Sequence, residues 1–101
     1  MMVVFNVEKS GYVNCPDLGF TITEHEWNLN NIPQRGDIVD LFPFIEDDNE
    51  NVSLSIPGGC NVNDPMVTVR SEAARIQYLV SGIKWSKNEN GAYCQIDLTT
   101  P

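Results

Sequence analysis

This chain is short of several things, and each shortage excludes a class of activity. Six Lys and Arg stand against fourteen Asp and Glu, a formal charge of -8 over 101 residues. The six cations, Lys9, Arg35, Arg70, Arg75, Lys84 and Lys87, are scattered. Phosphate-backbone binding relies on several such residues gathered on one face, so direct binding to DNA or RNA is disfavoured. Cysteine is sparse as well: Cys15, Cys60 and Cys94 are odd in number, widely spaced and without a CxxC pair. That pattern suits neither a closed disulfide framework nor a zinc knuckle, and the simplest expectation is reduced thiols in a cytoplasmic setting. Long apolar runs are missing too. "MMVVFNVEKSGY" begins apolar but has no basic segment and meets Asn6 and Glu8 at once, so it reads as neither a signal peptide nor a membrane span. With export unsupported, the triplet Asn51-Val52-Ser53 is a coincidence of an Asn-rich stretch.

What remains is the composition of a folded domain. Hydrophobic residues make up 42% of the chain and charged residues 20%. That balance and length fit a single domain, residues 1–101, with one modest core. The hydrophobic pattern is mostly of period two. "VSLSI" sets Val52, Leu54 and Ile56 against Ser53 and Ser55, "FTITEHEW" sets Phe20 and Ile22 against Thr21 and Thr23, and "MVTVR" repeats the idea. "SEAARIQYLVSGIKW" is ambiguous, because Ile76, Leu79, Val80 and Ile83 also keep helical spacing. Downstream, "SKNENGAYCQIDL" carries Asn90-Gly91, a strong hairpin signal, and a hairpin needs a strand before its turn. The expectation is therefore a strand over 76–86, with the phase slipping at Gly82 as at a bulge, and at most a helical turn over 71–75. Short strands divided by Gly, Pro, Asn and Asp predict an all-β fold, a small antiparallel barrel.

"PQRGD" contains Arg35-Gly36-Asp37, a tripeptide that in secreted proteins can serve adhesion. Pro33, Gly36 and Asp37 are also the ingredients of a turn, and Ile38, Val39 and Leu41 follow as strand, so the turn is the expected role. Ile32-Pro33, Gly36-Asp37-Ile38-Val39, "YLVSGIKW" and "CQIDL" after an Asn-Gly turn together resemble small bacterial proteins with an SH3-like, partly open β-barrel. Over about half of the chain, that resemblance implies a fold and a binding role, and it transfers no catalytic residue.

Candidate chemistry is thin. His25 is the only histidine, and in an extended strand Glu24 and Glu26 would point away from it, so a metal or acid-base site is not expected there. A thiol nucleophile needs a nearby base. Cys60 in "PGGCN" would need His25 beside it, and Cys94 in "AYCQIDL" reads as a small buried apolar residue. "DDNEN" from Asp47 fails as a calcium loop, since Val52 and Gly58 occupy the positions that demand Gly and Glu. Gly58-Gly59 has neither a neighbouring Lys nor a following helix to make a phosphate cradle. No cofactor and no metal are expected. Aromatics, by contrast, are in surplus: Trp27, Phe42, Phe44, Tyr78, Trp85 and Tyr93 exceed what a core of this size must bury. Exposed apolar side chains mark partner sites, and Trp27 and Phe44, each beside acidic or loop sequence, are the candidates for exposure. The expected function is a non-enzymatic protein-interaction or assembly module, with Trp27, Phe44, Asp47, Asp48 and Glu50 as candidate partner-binding residues. Its alternative is an acidic inhibitor or nucleic-acid mimic that blocks a basic site on a partner, and a thiol- or histidine-dependent enzyme is a third reading. A protein partner is expected in either of the first two, with no membrane.

Overall fold

The fold was obtained as a computed structural model that describes residues 1–9, 19–27, 30–45, 76–89 and 91–100, and the backbone of 52–55. Within these, six strands form one curled sheet, a half-barrel: β1 Met2–Val7, β2 Gly19–Glu24, β3 Ile38–Asp40, β4 Val52–Ser55, β5 Gln77–Asn88 and β6 Gly91–Thr99. The strand order is β3-β5-β6-β1-β2-β4. The only helix among the described residues is a 3-10 turn over Phe42–Phe44. The all-β expectation therefore holds, with one change: β1 and β6 pair in parallel, so the sheet is mixed and not purely antiparallel. No helix among the described residues is long and apolar enough to cross a membrane.

Alternation explains which residues build the core. Val3, Phe5 and Val7 of β1 are buried, and β2 pairs Phe20 with Val7 and Ile22 with Phe5, which puts all five on one face. On the other side of β1, the parallel register sets Cys94, Ile96 and Leu98 of β6 beside Val3, Phe5 and Val7, and these too are buried. β5 completes the layer with Tyr78 and Val80. Leu41 and Ile45, which bracket the 3-10 turn, close over this face. That turn ends β3 because Pro43 cannot donate to a ladder, and the Asp40 carboxylate accepts the Phe42 N–H at 3.1 Å.

The opposite face is polar and half-buried. Its centre is Asp97, whose Oδ1 accepts from Asn6 Nδ2 at 3.1 Å and from Gln95 Nε2 at 2.9 Å. Both partners follow from the register, since Asn6 lies beside Asp97 in β1 and Gln95 is two residues back along the same face.

The Arg35-Gly36-Asp37 question resolves into a turn. Asp37 N–H donates to Gln34 O at 2.9 Å, and Gly36 takes φ +95°, as the third position of a type II turn requires. The Asp37 carboxylate accepts Gln34 N–H at 2.8 Å, so it is engaged in closing the turn. Gly36 N–H then donates to Val80 O at 3.0 Å and Asp37 O accepts Val80 N–H at 2.9 Å. The turn thus starts the pairing of β3 with β5.

Candidate functional site

β5 is the longest strand, and its two halves have different neighbours. Gln77, Tyr78 and Leu79 pair with β3 on one side, and Leu79 and Val80 with β6 on the other. Beyond Val80 an irregularity intervenes: Val80 faces Leu98 while Gly82 faces Asp97, so Ser81 is the extra residue of a bulge. This is the phase slip legible at Gly82. After it, Ile83 faces Ile96 and Trp85 faces Cys94, which keeps Ile83 and Trp85 on the core side of the sheet. Ser81 Oγ donates to Asp97 O at 3.2 Å across the irregularity. The hairpin that follows bends between Asn88 and Gly91, which are directly opposite each other. Gly91, with φ +115°, is the first residue of β6, so the bend lies one position earlier than an Asn90-Gly91 turn centre.

From Ser81 onward β5 has a described neighbour, β6, on one side alone, because β3 is only 3 residues long. The backbone groups turned to the open side can be identified. Val80 gives its N–H and C=O to Asp37 and Gly36, away from β6, so Leu98 opposite it turns its own groups away from β5. Alternation along β6 makes Ile96, Cys94 and Ala92 do the same, and their partners Ile83, Trp85 and Lys87 turn their N–H and C=O to the edge that has no described neighbour. Trp85 is 61% exposed, the largest exposed hydrophobic side chain among the described residues, while Cys94 opposite it is fully buried. Burial pushes the Cys94 thiol above its ordinary pKa, which makes it a poor nucleophile at neutral pH. Lys84 and Lys87 flank Trp85, both exposed.

The aromatics named from sequence are distributed differently from expectation. Trp27 and Phe44 are half-buried: their rings stack at 5.7 Å with 14° between planes, and both rest on Phe5, at 5.9 and 5.1 Å. Trp27 is fixed further by its N–H donating to Met1 O at 2.9 Å and its indole Nε1 donating to Asn31 O at 3.3 Å. The pair caps the core above β1, a place that neighbouring acidic sequence could not reveal. Tyr78 is fully buried, edge-on to Phe20 at 6.3 Å. Among these aromatics Phe42 and above all Trp85 carry the exposure instead.

His25 and Glu26 are exposed and lie in a bend just past the end of β2, whereas Glu24 closes that strand half-buried opposite Val3. The strand therefore ends before His25 and does not run on through it. Among the described residues no group of three or more His, Cys, Asp and Glu could hold a metal ion. Asp47, Asp48, Glu50, Cys15, Cys60, Ile56, Gly58, Gly59, the "MVTVR" segment and the helical turn at 71–75 lie outside the described residues. No protein family, no curated protein and no solved structure matches this chain.

Proposed function

We propose that this chain is a non-enzymatic protein-interaction or assembly module, working in the cytoplasm, that docks a partner at the distal half of β5. A single observation carries the reading: Trp85 stands 61% exposed on a strand segment that pairs on one side only among the described residues. Aromatic side chains supply most of the affinity at interface centres, and a free strand edge supplies backbone donors and acceptors beside them. Leaving a Trp in water gives up about 2 kcal/mol or more of burial that an interior position would supply, so a partner that covers it gains that amount. The resemblance to SH3-like, partly open barrels supports the same reading, since such barrels bind through an open face. The test is capture from native lysate with wild-type and Trp85→Ala chains as bait, washed at low and then high salt. A partner kept by the wild type at high salt and lost with Trp85→Ala supports the module, and a partner set indifferent to Trp85 rejects it.

A second reading, an acidic inhibitor or nucleic-acid mimic that occupies a basic site, is favoured by the formal charge of -8. Charge-steered association weakens with salt, so in the same washes that reading requires a basic partner lost at high salt whatever residue stands at position 85.

A further inference from the structure

We propose that the partner contributes an extended acidic segment, which adds as a further strand to the edge of β5 that no described strand pairs. This inference rests on the interaction reading above and names the chemistry of what docks there. The N–H and C=O groups of Ile83, Trp85 and Lys87 face away from β6, in the spacing a new strand needs to continue the ladder.

The charge on this segment of β5, Ser81 to Asn88, is opposite in sign to the charge of the chain. Of six Lys and Arg in a protein carrying -8, Lys84 and Lys87 lie on this one short segment, either side of Trp85. The facing stretch of β6, residues 91–96, reads "GAYCQI" and has no charged side chain. Asp97, the first acidic residue beyond it, already has Oδ1 engaged by Asn6 and Gln95. Glu89 follows in the hairpin bend and is exposed. At physiological salt, fields decay over about 8 Å, so the charges carried by β5 itself act most strongly on a strand added at its edge. Lysines on an edge also deter unwanted pairing. A second copy of this chain would set Lys84 and Lys87 against the same pair and bring two charges of -8 together, which disfavours self-pairing. An acidic strand turns the deterrent into selectivity.

Register sharpens the partner's pattern. Lys84 and Lys87 are three positions apart, so the residues opposite them on an added strand are also three apart. An antiparallel strand then reads acid-x-apolar-acid, with the apolar residue facing Trp85, and a parallel strand reads acid-apolar-x-acid.

A displayed library of random dodecapeptides, selected on the full chain, tests this. Recovered peptides are expected to be enriched in one of these patterns and to slow amide exchange at Ile83, Trp85 and Lys87, read residue by residue by NMR. Their affinity should fall at least about tenfold in the Lys84→Glu, Lys87→Glu variant, whose fold is checked by retained protection at Gly36 and Val80. No binder, binders without acidic enrichment, binders that leave those three amides unprotected, or concentration-dependent dimers that protect them would each overturn the inference. Trp85-dependent capture from lysate without protection of these amides removes strand addition alone and leaves the interaction module standing. Capture indifferent to Trp85 removes the module itself.

Discussion

The two halves of β5 are one continuous strand with opposite assignments. Gln77 to Leu79 pairs with β3, Leu79 and Val80 pair with β6, and Tyr78 and Val80 enter the core, both essentially inaccessible to solvent. Past Ser81 the same strand pairs with β6 alone among the described residues and leaves Trp85 in water. Two aromatics of the same sequence period thus end in different environments. A period of two assigns a face, while burial depends on what lies beside the strand and what closes over that face. Leu41 and Ile45 belong to the covered core, with Phe44 and Ile83 packed part-buried against it and Trp85 beyond.

Substitutions can break this contrast, beginning with the covered half. Tyr78→Ala removes a fully buried aromatic that meets Phe20 edge-on, and the expected loss is about 3–5 kcal/mol, read from urea unfolding midpoints at unchanged slope. Gly36→Ala is next. An added methyl there meets no atom within 4 Å, so the penalty is that of the backbone conformation at φ +95°. It should cost about 1–2 kcal/mol and weaken amide protection at Val80, the residue that the turn holds.

The alkaline limb of stability comes third. Burial raises the Cys94 pKa from 9.0, so the native chain keeps its proton where the unfolded chain has lost it. The native state then binds more protons than the unfolded state, and stability must fall as pH climbs past the unfolded value and be flat in this term below it. Comparing the slopes of stability against pH between pH 8 and 10 for wild type and Cys94→Ala, roughly the span around a free thiol's pKa, checks this, and the variant should fall less steeply. The smallest stability effect belongs to the exposed half: Trp85→Ala should change unfolding free energy by no more than about 0.5 kcal/mol while abolishing partner capture. A loss there as large as that of Tyr78→Ala would end the contrast.

Much of the β5-β6 side of the sheet can be read from residues. β5 and β6 are legible because "IKW" and "CQIDL" alternate on either side of an Asn-Gly signal, which decides the otherwise ambiguous "IQYLV" as strand, and the slip at Gly82 marks the bulge. β1 is harder to read as a strand, because Val4 breaks the polar alternation that Asn6 keeps between Phe5 and Val7. A short apolar start ending in polar residues invited the question of a leader, and its partner β6 lies about ninety residues away. Neighbour order is invisible to periodicity, which is also why the parallel pair was missed. The candidate site fared less well for the same reason. Trp27 and Phe44 stand beside polar sequence yet stack on Phe5 by long-range packing, and Trp85 lies on a stretch of β5 beyond the short β3.

The parallel pairing of β1 with β6 bears on how the protein comes into being. Within this chain β1 is the first strand to be synthesised and β6 the last, yet they are neighbours at the middle of the sheet. At about 5–20 residues per second, β1 waits several seconds on the ribosome before its neighbour exists. Until then Val3, Phe5 and Val7 have β2 on one flank, and Trp27 and Phe44 over Phe5, while the flank that β6 will cover stays without its strand. Assembly of the sheet's centre is in that sense a terminal event, set by the emergence of "CQIDL" and not by any local turn.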